Sequence, residues 1–263
     1  MGVKGLEGEP VAVSAGARHS CAVLHSGLAE CWGANDRGQV GSGAASDRLG
    51  VTSVSGLAEV VALGTGALHT CALTRAGDLA CWGANDYGQL GDGTTRDRAR
   101  PAPVNALTGD VTAVAAGGRH SCALATTGEV FCWGANDAGQ LGTGTLTDSL
   151  EPTRVVNLAD AVAIGAGSRH TCALRADGEV LCWGANDWGQ LGDGTRMARA
   201  LPRRVTRLSA TARALGVGEE HTCAALSSGA LECWGFNYFG QLGDGIAPLS
   251  GSPTPVAVVG FGA

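Results

Sequence analysis

Short apolar runs alternate with glycine-containing polar words along the whole chain. VVAL, residues 60–63, is an apolar run of the length that a buried strand uses, and it breaks at Gly66. HTCAL (69–73) and DLACWG (78–83) then flank TRAG, whose glycine stands where a hairpin loop often needs a positive φ. A fourth extended piece, PAPVNAL (101–107), follows a long loop, and its prolines suit an edge strand, where a missing N–H is tolerated. No segment carries the 3.6-residue apolar period of a helix, so the pattern predicts an all-β chain of short strands.

The same four pieces recur. Aligned on CWG, the tryptophans are Trp32, Trp82, Trp133, Trp183 and Trp234, at steps of 50, 51, 50 and 51. A period near fifty residues with four strands in each unit is the make-up of a propeller blade. The expected fold is therefore a β-propeller of about five four-stranded blades. It forms one domain over 1–263, with repeats at approximately 7–57, 58–107, 108–158, 159–208 and 209–261. Val3 and Leu6 have the spacing of Val104 with Leu107 and of Val258 with Phe261. A chain that starts and ends at one phase of the repeat suits a closed ring, with the last outer strand meeting the N-terminal segment; a fragment of a seven-blade protein would show the same phase.

The Gly-His…Trp-Asp and double-glycine kelch signatures are absent. The words GxxH[ST]CAL…G…CWGxNxxGQLGxGT…P…V closely resemble the repeat of the regulator of chromosome condensation, from Val3 to Phe261. The resemblance implies a β-propeller, usually of seven blades, and a protein partner. That family includes the nuclear exchange factor for the GTPase Ran and a bacterial secreted β-lactamase inhibitor protein. Five repeats instead of seven is a departure from it.

All ten cysteines fall in pairs ten residues apart: Cys21 with Cys31, Cys71 with Cys81, Cys122 with Cys132, Cys172 with Cys182, Cys223 with Cys233. In a hairpin that opposes Cys71 to Cys81, Leu73 faces Leu79 across a short loop. Opposed Cα atoms then lie within disulfide range. One cross-strand disulfide per blade is the preferred reading, each worth roughly 2–3 kcal/mol in the chain-entropy picture. Small buried thiols and a zinc site are the alternatives. Disulfides imply an oxidising, extracytoplasmic location, although the opening MGVKGLEGEPVAV lacks the layout of a signal peptide.

His19, His69, His120, His170 and His221 also recur once per repeat. Equivalent positions on separate blades do not converge as metal ligands must, so these are expected to be hydrogen-bonded packing residues. The adjacent Ser or Thr points to the opposite face of the strand and makes a poor nucleophile–base pair. GAND and GDG lack the spacing of a calcium loop, and GQLG lacks the Lys-Ser/Thr of a phosphate loop.

Composition narrows the function. The net charge of −6 argues against nucleic acid as a partner. No apolar run reaches 18 residues, which leaves no candidate transmembrane helix. The Asp, Glu and His residues either recur in every repeat or scatter in loops, so neither a catalytic constellation nor a cofactor is expected. A hydrolase or lyase using a central funnel is the weaker alternative.

Variable positions inside constant words are better candidates. One series reads Arg37, Tyr87, Ala138, Trp188 and then Tyr238 with Phe239; another reads Arg18, Leu68, Arg119, Arg169, Glu220. Exposed Tyr, Trp and Arg are favoured interface anchors. The candidate partner-binding residues are Arg18, Arg37, Tyr87, Arg119, Arg169, Trp188, Tyr238 and Phe239. The expectation is a monomeric, non-enzymatic scaffold that binds a protein through rim loops. Guanine-nucleotide exchange on a small GTPase and a structural role in a larger surface protein are the alternatives. The loops TTRDRAR (94–100) and TRMARAL (195–201) add local positive charge.

Overall fold

A computed structural model describes residues 3–107, 110–246 and 251–260. They form twenty strands in five four-stranded antiparallel sheets, and no helix is found among them. Each sheet consists of four consecutive strands, the blade of a β-propeller. The first holds β1 (Pro10–Ala15), β2 (His19–Leu24), β3 (Ala29–Asn35) and β4 (Ser46–Ser53). The second holds β5 (Val60–Thr65), β6 (His69–Thr74), β7 (Leu79–Gly83) and β8 (Arg98–Pro103). The third holds β9 (Val111–Ala116), β10 (His120–Ala125), β11 (Val130–Gly134) and β12 (Ser149–Arg154). The fourth holds β13 (Ala161–Ala166), β14 (His170–Arg175), β15 (Val180–Gly184) and β16 (Arg199–Arg204). The fifth holds β17 (Ala212–Val217), β18 (His221–Leu226), β19 (Leu231–Gly235) and β20 (Ser252–Ala257).

By packing, the chain divides into two compact units. The first runs to Thr126 and adds Phe131–Ala135 and Asp148–Thr153; the second takes Thr127–Val130, Asn136–Thr147 and the chain from Arg154 onward.

The fifth sheet takes its outer strand, β20, from its own repeat, and no strand precedes Pro10 among the described residues. Val3 is exposed, and Phe261 lies outside the described residues.

Strand alternation gives each sheet two chemically different faces. In the second sheet Cys71 opposes Cys81 and Leu73 opposes Leu79 on one face, while Thr70 opposes Trp82 and Ala72 opposes Ala80 on the other. The core forms where the cysteine face of one sheet meets the tryptophan face of the next. Cys71, Leu73, Leu79, Cys81 and Leu90 pack with Ala123 and Trp133 in the first unit. In the second, Cys172, Leu174, Val180, Cys182 and Leu191 pack with Ala224 and Trp234.

All ten cysteines form disulfides in the expected pairs, with Cα separations of 4.0–4.1 Å. Such a short separation belongs to a non-hydrogen-bonded pair of an antiparallel ladder. The thiol and zinc alternatives are thereby set aside, and five disulfides suit an oxidising environment.

Candidate interaction surface

The recurrent polar residues are occupied by one another. The backbone carbonyl of Gln39 accepts from Trp82 Nε1 at 2.9 Å and from Thr70 Oγ1 at 2.9 Å. Gln89 receives Trp133 and Ser121 in the same way, at 2.9 and 2.8 Å, and Gln140 receives Trp183 and Thr171, at 2.8 and 2.9 Å. Thr70, Ser121 and Thr222, whose Oγ1 donates to the Gln190 carbonyl at 3.3 Å, also meet the histidine of the preceding repeat. His19 Nε2 lies 2.8 Å from Thr70 Oγ1, His69 Nε2 2.9 Å from Ser121 Oγ, and His170 Nε2 3.0 Å from Thr222 Oγ1. A hydroxyl that has given its one hydrogen to a carbonyl can only accept, so the imidazole Nε2 carries the proton.

This inverts the roles that a nucleophile–base pair needs, in which the imidazole takes the hydroxyl proton. Burial holds the His19 pKa at about 4. Burial, and then the neighbouring His120 and His19, hold that of His69 at about 3. Both rings are therefore neutral at physiological pH. The hydroxyl–imidazole pairs join successive repeats, whereas the sequence places the two residue types side by side in one strand.

The GAND and GQLG words are a structural clamp. Asn85 Oδ1 accepts from Leu90 N at 3.0 Å, and its amide donates to the carbonyls of Thr94 and Arg96. Asp92 accepts from Thr94 and from Arg98. The acidic and amide oxygens that resembled a calcium loop are thus engaged within the turn. No cluster of three or more metal-ligating side chains occurs among the described residues. Part of the loop charge is likewise committed: Arg98 pairs with Asp92 and Arg199 with Asp193, while Arg196 donates to the carbonyls of Asp187 and Gly251.

Sequence-selected residues of the first unit make contacts of their own. Arg37 bonds to Asp86 at 2.7 Å and to both carboxylate oxygens of Asp97, so it ties its repeat to the next. Burial, the largest single influence, acts to raise the Asp97 pKa, but the hydrogen bonds from Arg37 and Asn85 N and the charge of Arg37 together lower it. Arg119 donates to Tyr87 Oη at 2.9 Å, with its guanidinium 4.9 Å from the ring centroid. Arg18 is exposed and lies near enough to Asp36 to favour its charged form, behind the larger effect of a hydrogen bond from Gln39.

The second unit holds the other aromatic members. Trp188 meets Phe236 edge-on with centroids 4.8 Å apart, Phe236 stacks with Tyr238 at 6.2 Å, and Tyr238 meets Phe239 edge-on at 5.0 Å. Tyr238 is 52% exposed and Phe239 81%. Arg169 pairs with Asp137 at 2.6 Å.

The profile of the RCC1-like domain matches residues 2–262. The chain belongs to this family. Among curated relatives, the ultraviolet-B receptor UVR8 of Arabidopsis thaliana is 38% identical over 147 residues, 54% of this chain and 33% of the receptor. The probable E3 ubiquitin-protein ligase HERC6 of Homo sapiens is 35% identical over 134 residues, 49% of this chain and 13% of the ligase. The chain thus matches a third or less of the length of these relatives. Among solved structures, human WBSCR16 superposes with a TM-score of 0.85 at 22% identity, covering 96% of this chain and 68% of the other. Prp20p of Saccharomyces cerevisiae gives 0.82 at 23%, covering 95% and 63%. These two likenesses establish the fold.

Within this RCC1-like chain, sequence reasoning passed over Phe236. Its signal is the word CWGFN, which stands once against four copies of CWGAN. Phe236 bridges Trp188 to Tyr238 and Phe239, so the cluster exists because of it. A neighbouring acidic group is also new. Glu220 has a raised pKa, first through burial and then through the adjacent charges of Glu219 and Asp187, with Arg169 acting in the opposite direction.

Proposed function

We propose that this RCC1-like chain is a non-enzymatic interaction module whose five repeats, at approximately 7–57, 58–107, 108–158, 159–208 and 209–261, act together to present rim loops to a protein partner. The observation that carries this reading is the cluster of Trp188, Phe236, Tyr238 and Phe239. Two large rings stand in solvent on a turn whose counterparts carry Asp36–Arg37, Asp86–Tyr87, Asp137–Ala138 and Asp187–Trp188. Exposed aromatic clusters of this kind are favoured at interfaces, where they exclude water over a large rigid area. Arg18, Arg37, Tyr87, Arg119 and Arg169 would add polar contacts on the same class of loop. The net charge of −6 favours protein over nucleic acid as the partner. The five disulfides favour an extracytoplasmic site of action.

The test is crosslinking capture from the source organism, comparing the native chain with a Tyr238→Ser/Phe239→Ser double variant. A partner captured by the native chain and lost from the variant supports the reading; equal capture by both refutes the assignment of the site. Prp20p has been described with its binding to Gsp1p and histones, which keeps nucleotide exchange as the second reading. That reading requires faster release of labelled GDP from a small GTPase when this chain is added.

A further inference from the structure

In the series that precedes each recurrent histidine, two arginines fill comparable niches. Arg119 lies over Tyr87 of the preceding turn and donates to its hydroxyl. Arg169 donates to Asp137 of the preceding turn. Each niche thus pairs a guanidinium with an aromatic ring or a carboxylate.

The next niche breaks the series. Its residue is Glu220, and the preceding turn carries Asp187 and Trp188. The backbone carbonyl of Glu220 accepts from Phe236 N at 2.9 Å, and Phe236 packs on Trp188. Asp187 and Glu220 thus flank the Trp188–Phe236 contact at the positions that Asp137 and Arg169 hold one repeat earlier, with Glu219 next in the chain. The nearby arginines are engaged, Arg169 by Asp137 and Arg196 by the carbonyls of Asp187 and Gly251. No ion pair to Asp187, Glu219 or Glu220 occurs among the described residues.

We propose that the niche between Asp187–Trp188 and Glu220–Phe236 binds an arginine side chain of a protein partner, which supplies the guanidinium that Arg119 and Arg169 supply internally in the two preceding niches. This inference rests on the interaction reading above and names the chemistry of the partner. A guanidinium suits the site better than an ammonium, because its planar fork spans carboxylates while its face stacks on a ring. Tyr238 and Phe239, exposed beside Phe236, would cover the aliphatic stem and flanking residues of the incoming segment.

The test is fluorescence anisotropy with three labelled short peptides, which carry two arginines, two lysines or two citrullines and are otherwise identical. The native chain is expected to bind the arginine peptide about tenfold more tightly than the citrulline peptide, the scale of one charge-assisted or cation–π contact, with the lysine peptide between them. Glu220→Arg installs the residue type of three other repeats, and Phe236→Ala the residue of the other four. Both are expected to fold, as checked by thermal unfolding, and to lose this preference. Equal affinity for arginine and citrulline, undiminished arginine binding by Glu220→Arg, or no saturable binding of the arginine peptide to the native chain would each overturn the proposal. Partner capture that is lost in Tyr238→Ser/Phe239→Ser but indifferent to Glu220→Arg would overturn the arginine assignment and leave the interaction reading intact.

Discussion

His69 is fully buried, and its ring lies so close to Gly66 that a Cβ there would stand 2.4 Å from its Cε1 and 2.4 Å from the carbonyl oxygen of Gly117. The glycine of the G-x-x-H word is therefore a matter of space, since its backbone conformation is open to any residue. Gly66→Ala is expected to cost roughly 1–3 kcal/mol, the usual range for overpacking, read as a lower denaturant midpoint at unchanged slope. An unchanged midpoint would refute the close approach.

Proton linkage belongs to the same residues. Unfolded histidine titrates near 6.5, whereas His19 is held at about 4 and His69 at about 3 in the fold. Between these values the unfolded chain binds more protons than the folded one, so stability is full above about pH 6.5. It falls with acidification by about 1.4 kcal/mol per pH unit for each histidine, down to its folded pKa. His221, with its pKa also lowered by burial, adds in the same direction. Denaturant titrations at a series of pH values check this; equal midpoints at neutral and mildly acid pH would mean that the imidazoles are not buried in the neutral form.

At the scale of the element, the hairpin of β6 and β7 combines a short loop, an opposed leucine pair and a disulfide on one face. A Cys71→Ala/Cys81→Ala double variant is expected to lose about 2–3 kcal/mol through the greater freedom of its unfolded state. Alkylation followed by intact mass is the direct measurement: no cysteine should react before reduction, and all ten after it. Any thiol alkylated in the unreduced, denatured chain would contradict the assigned pairs. This part of the structure was legible beforehand, because opposed residues of a hairpin share a constant index sum. The Cys71–Cys81 spacing therefore also sets Leu73 against Leu79.

At the scale of the whole molecule, sheets that repeat one sequence stack within each unit through one repeated contact, and stability becomes largely a sum over neighbours. The contact is not uniform along the chain. A Cβ on Gly165 would stand 2.5 Å from Val217 Cγ2, whereas one on Gly216, its counterpart a repeat later, meets nothing within 4 Å. Gly165→Ala is expected to destabilise by roughly 1–3 kcal/mol, and Gly216→Ala to stay within about 0.5 kcal/mol of the native chain. Thermal unfolding of the pair tests this, and equal losses would show that the fifth sheet is covered as the fourth is.

The repeat, the strand content and the cysteine partners were determined by the sequence alone, because each depends on periodicity or on spacing within about twenty residues. Such local order survives whatever the rest of the chain does. Tertiary structure alone decided the remainder. It joined His69 to Ser121 and Arg37 to Asp86, about fifty residues apart, and gathered Trp188 with Phe236 into one cluster. It also brought Glu220 near enough to feel the charge of Asp187, at the position that Arg119 and Arg169 hold in the two preceding repeats. The physical reason is common to all of these: a repeat specifies the face it offers, but which side chain meets that face is settled only when another sheet packs against it.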